Sequence, residues 1–182
     1  MDYLPLFHNL KGRNIMVVGG GEIALRKVRL VQEASAIITI VAKDFCPDLL
    51  EMDAADKKHG CNGLRLITAG YELQHMLDIP DIVMVIAATN DRDLNRLVSK
   101  HAQEANILSN VVDDPGFSTV IFPSIVDRSP IQIAISSGGD APVLVRLLRT
   151  KFEALLPAGM SKLGALAGSF RERVKAKFSN GA

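Results

Sequence analysis

The chain has 182 residues, 21 Lys+Arg against 20 Asp+Glu, a formal net charge of +1, 48% hydrophobic residues and two cysteines. That composition excludes a disordered chain, a collagen-like repeat and a disulfide scaffold, and predicts a globular protein with a substantial core. No apolar run reaches the roughly 18 residues of a membrane span, and the opening MDYLPLFHNLKGR has neither the basic start nor the cleavage site of a signal peptide, so a cytoplasmic protein without membrane contact is expected.

Charge is unevenly placed, with 13 Lys+Arg against 18 Asp+Glu in residues 1–140 and 8 against 2 in residues 141–182. The C-terminal quarter is therefore basic, which suits a solvated helix surface or a nonspecific nucleic-acid contact equally well. Cys46 and Cys61 form no CxxC, and His8, His59, His75 and His101 form no HExxH. Two unpaired thiols and no protein-built metal cage are expected.

In chain order, short β-branched runs at 15–18, 37–41, 64–68, 82–87 and 107–110 alternate with helical patterns at 22–34, 46–58, 72–77 and 92–105. Such alternation predicts βαβ units and a doubly wound parallel sheet. Asp113-Asp114-Pro115-Gly116 is a turn, and strands at 120–126 and 131–136 flank Asp127-Arg128-Ser129-Pro130 as a hairpin. A helix is predicted over 143–156, capped by Asp140 with Pro142 in its first turn and stopped by Pro157 and Gly159. Leu163, Leu166, Phe170, Val174 and Phe178 mark a last helix. The chain thus divides into a nucleotide-binding part (1–112), a strand and loop segment (113–140) and a basic helical module (141–182).

The most informative local signal is Val17-Val18-Gly19-Gly20-Gly21-Glu22-Ile23-Ala24, a strand running into G-x-G-x-x-A and then a helix. Gly19 suits the tight turn, Gly21 lets backbone amides approach a pyrophosphate, and Ala24 permits close helix packing. A dinucleotide site is expected, against a glycine turn that only packs. At the end of the second strand Asp44 suits a ribose hydroxyl and hence NAD, whereas Lys43 suits a 2′-phosphate and hence NADP; NAD is favoured. Ala87-Ala88-Thr89-Asn90-Asp91 ends the fourth strand with small residues that let a dinucleotide lie close, or with a helix cap at Thr89 or Asn90.

Tyr71 is followed four positions later by His75, and Tyr3 by Phe7, so the Tyr-x-x-x-Lys pair of carbonyl reduction is absent. Asp113, just past the fifth strand, is placed for acid–base work at the sheet edge, or is a turn former before Pro115-Gly116. Ser136-Ser137-Gly138-Gly139 precedes a helix and reads as an anion site or a simple cap, with Arg146 and Arg149 following to meet a carboxylate-rich ligand. His101 reads as a surface residue.

Taken in this order and spacing, these segments resemble the N-terminal module of the siroheme synthase family, the precorrin-2 dehydrogenases and sirohydrochlorin ferrochelatases. The resemblance runs from Asp2-Tyr3-Leu4-Pro5-Leu6-Phe7 through Gly19-Gly20-Gly21, Arg26-Lys27, Ala87-Ala88-Thr89-Asn90-Asp91 and Asn110-Val111-Val112-Asp113. It continues through Phe122-Pro123-Ser124-Ile125 and Ser136-Ser137-Gly138-Gly139 to Arg146-Leu147-Leu148-Arg149. It implies a Rossmann-like α/β fold followed by a β dimerisation segment and a small helical module, in a homodimer whose 118–136 strands cross to the partner chain.

The resemblance also implies a chemistry. NAD⁺ takes a hydride equivalent from precorrin-2 to give sirohydrochlorin, and Fe²⁺ is then inserted as a substrate to give siroheme. Carried over by position, Asp113 is the acid/base of both steps, Gly21, Glu22, Ile23, Lys43, Asp44, Thr89 and Asn90 line the cofactor, and Ser137 sits beside the tetrapyrrole. A substrate with eight carboxylate side chains suits the basic module and the site at Ser137, Gly138, Arg146 and Arg149, and makes nucleic acid an unneeded partner. Four pyrrole nitrogens supply the metal's ligands, so none is expected from the protein. A phosphate on Ser137 would oppose those carboxylates. The methyltransferase domain of many relatives is expected to be absent from this chain. Two other functions fit the same residues: a dehydrogenase that leaves chelation elsewhere, and a non-catalytic nucleotide- or tetrapyrrole-binding regulator.

Overall fold

Five strands and four helices alternate in the first part of the chain: β1 (Asn14–Val18), α1 (Glu22–Glu33), β2 (Ile37–Ala42), α2 (Pro47–Lys58), β3 (Leu64–Thr68), α3 (Leu73–Leu77), β4 (Ile82–Ala87), α4 (Arg92–Glu104) and β5 (Leu108–Val111). The structure, a computed structural model, describes residues 3–60 and 63–177. Asp2, Cys61 and Phe178, named above, lie outside the described residues. Every strand pair is parallel and the order is β3-β2-β1-β4-β5, the predicted doubly wound sheet.

β1 lies in the middle with both faces covered, which is why it reads as a continuous apolar run; Ile15, Met16 and Val17 are wholly buried. Alternation along the strands sends Met16, Val18, Val41, Val85, Ala87 and Val111 to one face, where Met76 of α3 and Val98 and Ala102 of α4 cover them. Right-handed crossovers put α1 on the other face, its Ala24, Leu25, Val28 and Val31 buried.

The outer edge of β5 is closed by side chains rather than by another strand. The Ser109 N–H donates to Thr119 Oγ1 (2.7 Å) and the Val111 N–H to Ser118 Oγ (2.9 Å), while Asn110 Nδ2 donates to Val120 O (2.9 Å). On the α4 side the buried hydroxyls of Ser99 and Ser109 lie 3.0 Å apart. An exposed row of strand amides would invite pairing with another chain, and this strap removes it.

Two compact units divide between Ile121 and Phe122. Residues 113–121 therefore belong with the sheet, held by the strap, where the sequence suggested a boundary at 112. The second unit holds an antiparallel hairpin, β6 (Ser124–Arg128) and β7 (Ile131–Ile135), and two helices, α5 (Pro142–Leu155) and α6 (Met160–Lys177). The first hairpin strand starts at Ser124 rather than at 120, because the Val120 N–H and C=O already bond β5 residues and Pro123 has no N–H for a ladder. α5 also differs from expectation at its start: its N-cap is Ala141, with no side-chain cap, and Asp140 does not fill that role. The Ser137 hydroxyl instead accepts the Ala141 N–H (3.0 Å). Arg128 Nε donates to Leu156 O (2.9 Å) at the end of α5, and Gly164 lets α6 pass the turn, where a Cβ would stand 2.8 Å from Pro130 Cδ. Among the described residues of this unit only Val126 is buried. No helix among the described residues is long and apolar enough to cross a membrane.

Candidate active site

Parallel strands all end on one side, so the loops after β1, β2, β4 and β5 share the carboxyl edge of the sheet, and the strand order reverses between β1 and β4 to open a crevice there. Backbone hydrogen bonds hold those ends level: Gly19 N–H to Val41 O (2.9 Å), Ala88 N–H to Val18 O (2.8 Å) and Val112 N–H to Ala87 O (3.0 Å).

The three glycines have three different surroundings. Gly19 has φ +122°, and a Cβ there would collide with the Ala88 carbonyl, so only glycine turns the chain at this point. A Cβ on Gly20 would strike the Asp44 carbonyl and stand 2.9 Å from Ala42 Cβ, while its own carbonyl accepts the Cys46 N–H (2.8 Å). Gly21 is the N-cap of α1 with no side-chain cap, and nothing lies within 4 Å of where its Cβ would stand. Open space therefore adjoins the N-cap of the helix, which begins with exposed Glu22 and half-buried Ile23. Ala24, fully buried, allows the close packing read from the motif. That arrangement fits a dinucleotide: donors without partners in the helix, a positive dipole end and room for a pyrophosphate. Sequence reasoning passed over Gly20, whose only signal was its place inside the glycine run.

Lys43 and Asp44 follow β2 and are both exposed, so this strand end offers a ribose one base and one acid. Thr89 and Asn90 follow β4. Thr89 is half-buried and bound by the α4 residue Asn95: its N–H donates to Asn95 Oδ1 (3.1 Å), its hydroxyl lies 2.7 Å from the same oxygen, and its carbonyl accepts from Asn95 Nδ2 (2.9 Å). Neither Thr89 nor Asn90 caps α4; Asp91 does, its Oδ1 accepting the Leu94 N–H (3.0 Å). Asn95 was not foreseen, since a polar residue in a helix ordinarily faces water.

Asp113 follows β5 with φ +58°, in the left-handed region that Asp tolerates better than most residues, and it is exposed. Its neighbour Asp114 is the turn former, accepting the Phe117 N–H (3.2 Å) on its carbonyl and pairing with Arg96 at 3.4 Å. Asp113 makes no hydrogen bond or ion pair among the described residues. Lys27 of α1, half-buried, is close enough to feel its charge. Burial pushes the Lys27 ammonium below the ordinary lysine pKa, the Asp113 carboxylate opposes that shift and Arg26 adds to it. His101 is less exposed than expected: its Nδ1 lies 3.0 Å from the Tyr71 hydroxyl, and burial pushes that phenol up to about 12.

The sheet edge thus gathers Gly19, Gly21, Glu22, Ile23, Lys43, Asp44, Thr89, Asn90 and Asp113. The other predicted residues belong to the second unit. Ser137 precedes Gly138 and Gly139, which have φ +71° and +109°. Arg146 is exposed on α5, and Arg149 donates to Glu153 Oε1 from Nη2 (3.0 Å). Among the described residues, no group of three or more His, Cys, Asp or Glu side chains could hold a metal ion.

Comparisons with known proteins bear on this edge. A family model described as "Putative NAD(P)-binding" matches residues 6–124, and one described as "Sirohaem biosynthesis protein central" matches residues 128–155. The siroheme synthase of Stutzerimonas stutzeri is 49% identical over 180 residues, and that of Pseudomonas entomophila 50% over 178. These matches take in 99% and 98% of this chain, which spans 37% and 36% of the length of the two relatives. A solved structure named SirC, precorrin-2 dehydrogenase, superposes with a TM-score of 0.69 at 24% identity, over 88% of this chain and 74% of that one. The chain therefore belongs to the NAD(P)-binding family that its glycine turn announces, and is similar over nearly its whole length to the N-terminal region of siroheme synthase.

Proposed function

We propose that this chain oxidises precorrin-2 to sirohydrochlorin with NAD⁺ and then inserts Fe²⁺ to give siroheme. The observation that carries the reading is Asp113, an exposed carboxylate in a left-handed turn at the sheet edge, engaged by no hydrogen bond or ion pair among the described residues. The names of the siroheme synthase relatives supply the substrate class.

Gly21 and the first N–H groups of α1 would hold the pyrophosphate, Lys43 and Asp44 the adenosine ribose, and Gly19, Thr89 and Asn90 the wall along which the dinucleotide lies. Bound NAD⁺ supplies the hydride acceptor. Precorrin-2 loses a hydride and a proton in this oxidation, and Asp113 takes the proton. In chelation two pyrrole N–H protons must leave as Fe²⁺ enters, and Asp113 takes each in turn and returns it to water. The metal's ligands are then the four pyrrole nitrogens. The Ser137 hydroxyl, the Gly138 amide and Arg146 would bind peripheral carboxylates; Arg149 would do so by exchanging Glu153 for the substrate.

A homodimer belongs to the same proposal. Leu147, Leu155, Leu163 and Phe170 of α5 and α6 are each more than half exposed in a unit where, among the described residues, only Val126 is buried, an apolar area that a second copy would cover.

The test is to mix the protein with precorrin-2 and NAD⁺ anaerobically and follow NADH, then add Fe²⁺ and follow the tetrapyrrole spectrum against the uncatalysed rate. NADH and then a faster metal-dependent change support both activities. NADH alone supports the second reading, a dehydrogenase without chelation, which the name of the fold neighbour favours. NAD⁺ binding without turnover would replace both with a regulator.

A further inference from the structure

We propose that Asn95 is a positioning residue for the dinucleotide, acting through Thr89, and that Thr89 itself makes no hydrogen bond to the cofactor. The inference rests on the NAD⁺ reading above.

Asn95 stands in the second turn of α4 on the face that carries Val98 and Ala102, and it is 4% exposed. Asparagine is a poor helix former, and a primary amide taken out of water destabilises unless both its ends are bonded. Here both ends meet the same loop residue. Asn95 Oδ1 accepts the Thr89 N–H (3.1 Å) and faces its hydroxyl at 2.7 Å, and Nδ2 donates to the Thr89 carbonyl (2.9 Å). The Thr89 hydroxyl also accepts the Asp91 N–H (3.1 Å). All three polar groups of Thr89 are therefore engaged within the protein. Asn90, the next residue, is exposed and is the one left to meet a ligand.

The clamp reaches the glycine turn directly. A Cβ placed on Gly19 would lie 3.2 Å from the Thr89 nitrogen and in collision with Ala88 O, so the β4–α4 loop is the wall against which the turn is folded. Releasing Thr89 frees that wall on the side of the crevice, while the sheet and the packing of α4 through Val98 and Ala102 remain.

The experiment is a double-mutant cycle on the full chain with Asn95→Ala, Thr89→Val and the pair, reading NAD⁺ affinity by calorimetry and Tm by thermal unfolding. Thr89→Val, which removes the hydroxyl, is expected to weaken NAD⁺ binding about tenfold, and Asn95→Ala, which cuts all three bonds to Thr89, by at least as much. The double variant should lose less than the product of the two separate losses, because Asn95→Ala already cuts the hydroxyl bond that Thr89→Val removes. Thr89→Ser keeps the hydroxyl and should recover part of the affinity that Thr89→Val loses. Ser99→Ala is the control: it removes an equally buried hydroxyl from the same helix, bonded to Ser109, and should lower Tm without changing NAD⁺ affinity. If Asn95→Ala does not fold, Asn95→Asp retains one acceptor oxygen but sets the other against the Thr89 carbonyl where the amide donated, and should bind NAD⁺ more weakly than wild type. Unchanged affinity in the Asn95 variants, independent effects in the double variant, or an equal loss in Ser99→Ala would overturn the inference. A wild-type chain that binds no NAD⁺ would overturn the dinucleotide reading itself; wild-type binding with unaffected Asn95 variants overturns only the role of Asn95.

Discussion

Alanine at two adjacent glycines is expected to separate stability from binding. A Cβ on Gly20 would run into the Asp44 carbonyl and stand 2.9 Å from Ala42 Cβ and 3.0 Å from Phe45 Cδ1. The obstructing atoms are backbone and Cβ at the end of β2, tied by the Gly19 N–H to Val41 O and the Cys46 N–H to Gly20 O, so they cannot swing aside. Overpacking of this kind costs about 1–3 kcal/mol, and at about 2–4 °C per kcal/mol for a chain of this length, Gly20→Ala should lower Tm by roughly 2–12 °C. At Gly21 nothing lies within 4 Å of the added methyl, so its apo Tm should stay within about 4 °C of wild type, the effect of a poorer N-cap. The same methyl would stand in the open space beside the N-cap of α1, where the pyrophosphate is proposed to approach. Displacing two charge-assisted hydrogen bonds to a pyrophosphate should weaken NAD⁺ binding about 100-fold or more. Scanning calorimetry with and without NAD⁺ reads both quantities, since a ligand that binds only the folded state raises Tm. A Gly20→Ala variant with wild-type apo Tm, or a Gly21→Ala variant that NAD⁺ stabilises as it does the wild type, would refute the reasoning.

Asp113→Asn removes the proposed base without altering the glycine turn, so NADH formation should fall by about 100-fold or more with NAD⁺ affinity unchanged; turnover at the wild-type rate would remove Asp113 from the mechanism. Ser137→Asp adds negative charge where substrate carboxylates are proposed to bind and should raise the KM for precorrin-2, whereas equal kinetics would count against that site. The Asp127 carboxylate accepts the Ser129 hydroxyl at 2.7 Å, and this hydrogen bond is the main cause that holds its pKa below the ordinary value. A depressed folded pKa contributes stability above the unfolded value of about 4 and loses it as pH falls through the folded value, so Asp127→Asn should flatten the acid limb of the stability curve. An identical acid limb in the variant would contradict this. Gel filtration at micromolar concentration should give twice the monomer mass, and a species of monomer size would end the dimer proposal.

The sheet, its order of strands and helices, and the glycine turn were legible in the residues, because each rests on short-range rules. Covered strands read as β-branched runs, α4 carries Leu94, Val98 and Ala102 on one stripe, and the turn at Gly19 needs a residue without a side chain. What escaped that reading are contacts that no helix or strand period places, and residues differing only in backbone conformation. Asn95 looks solvent-facing until the β4–α4 loop folds Thr89 onto it, and His101 looks like a surface residue until Tyr71, thirty positions away, meets its ring. Ser118 and Thr119 look like loop until they cap the amides of β5. The place just past β5 singles out Asp113 in the sequence, but the structure alone shows it exposed at a left-handed φ while Asp114 binds the turn and Arg96. Local periodicity is a property of one helix or strand, whereas the partner of a buried polar group depends on how the neighbouring loops fold onto it, and that is why the fold was readable before the clamp on Thr89 was.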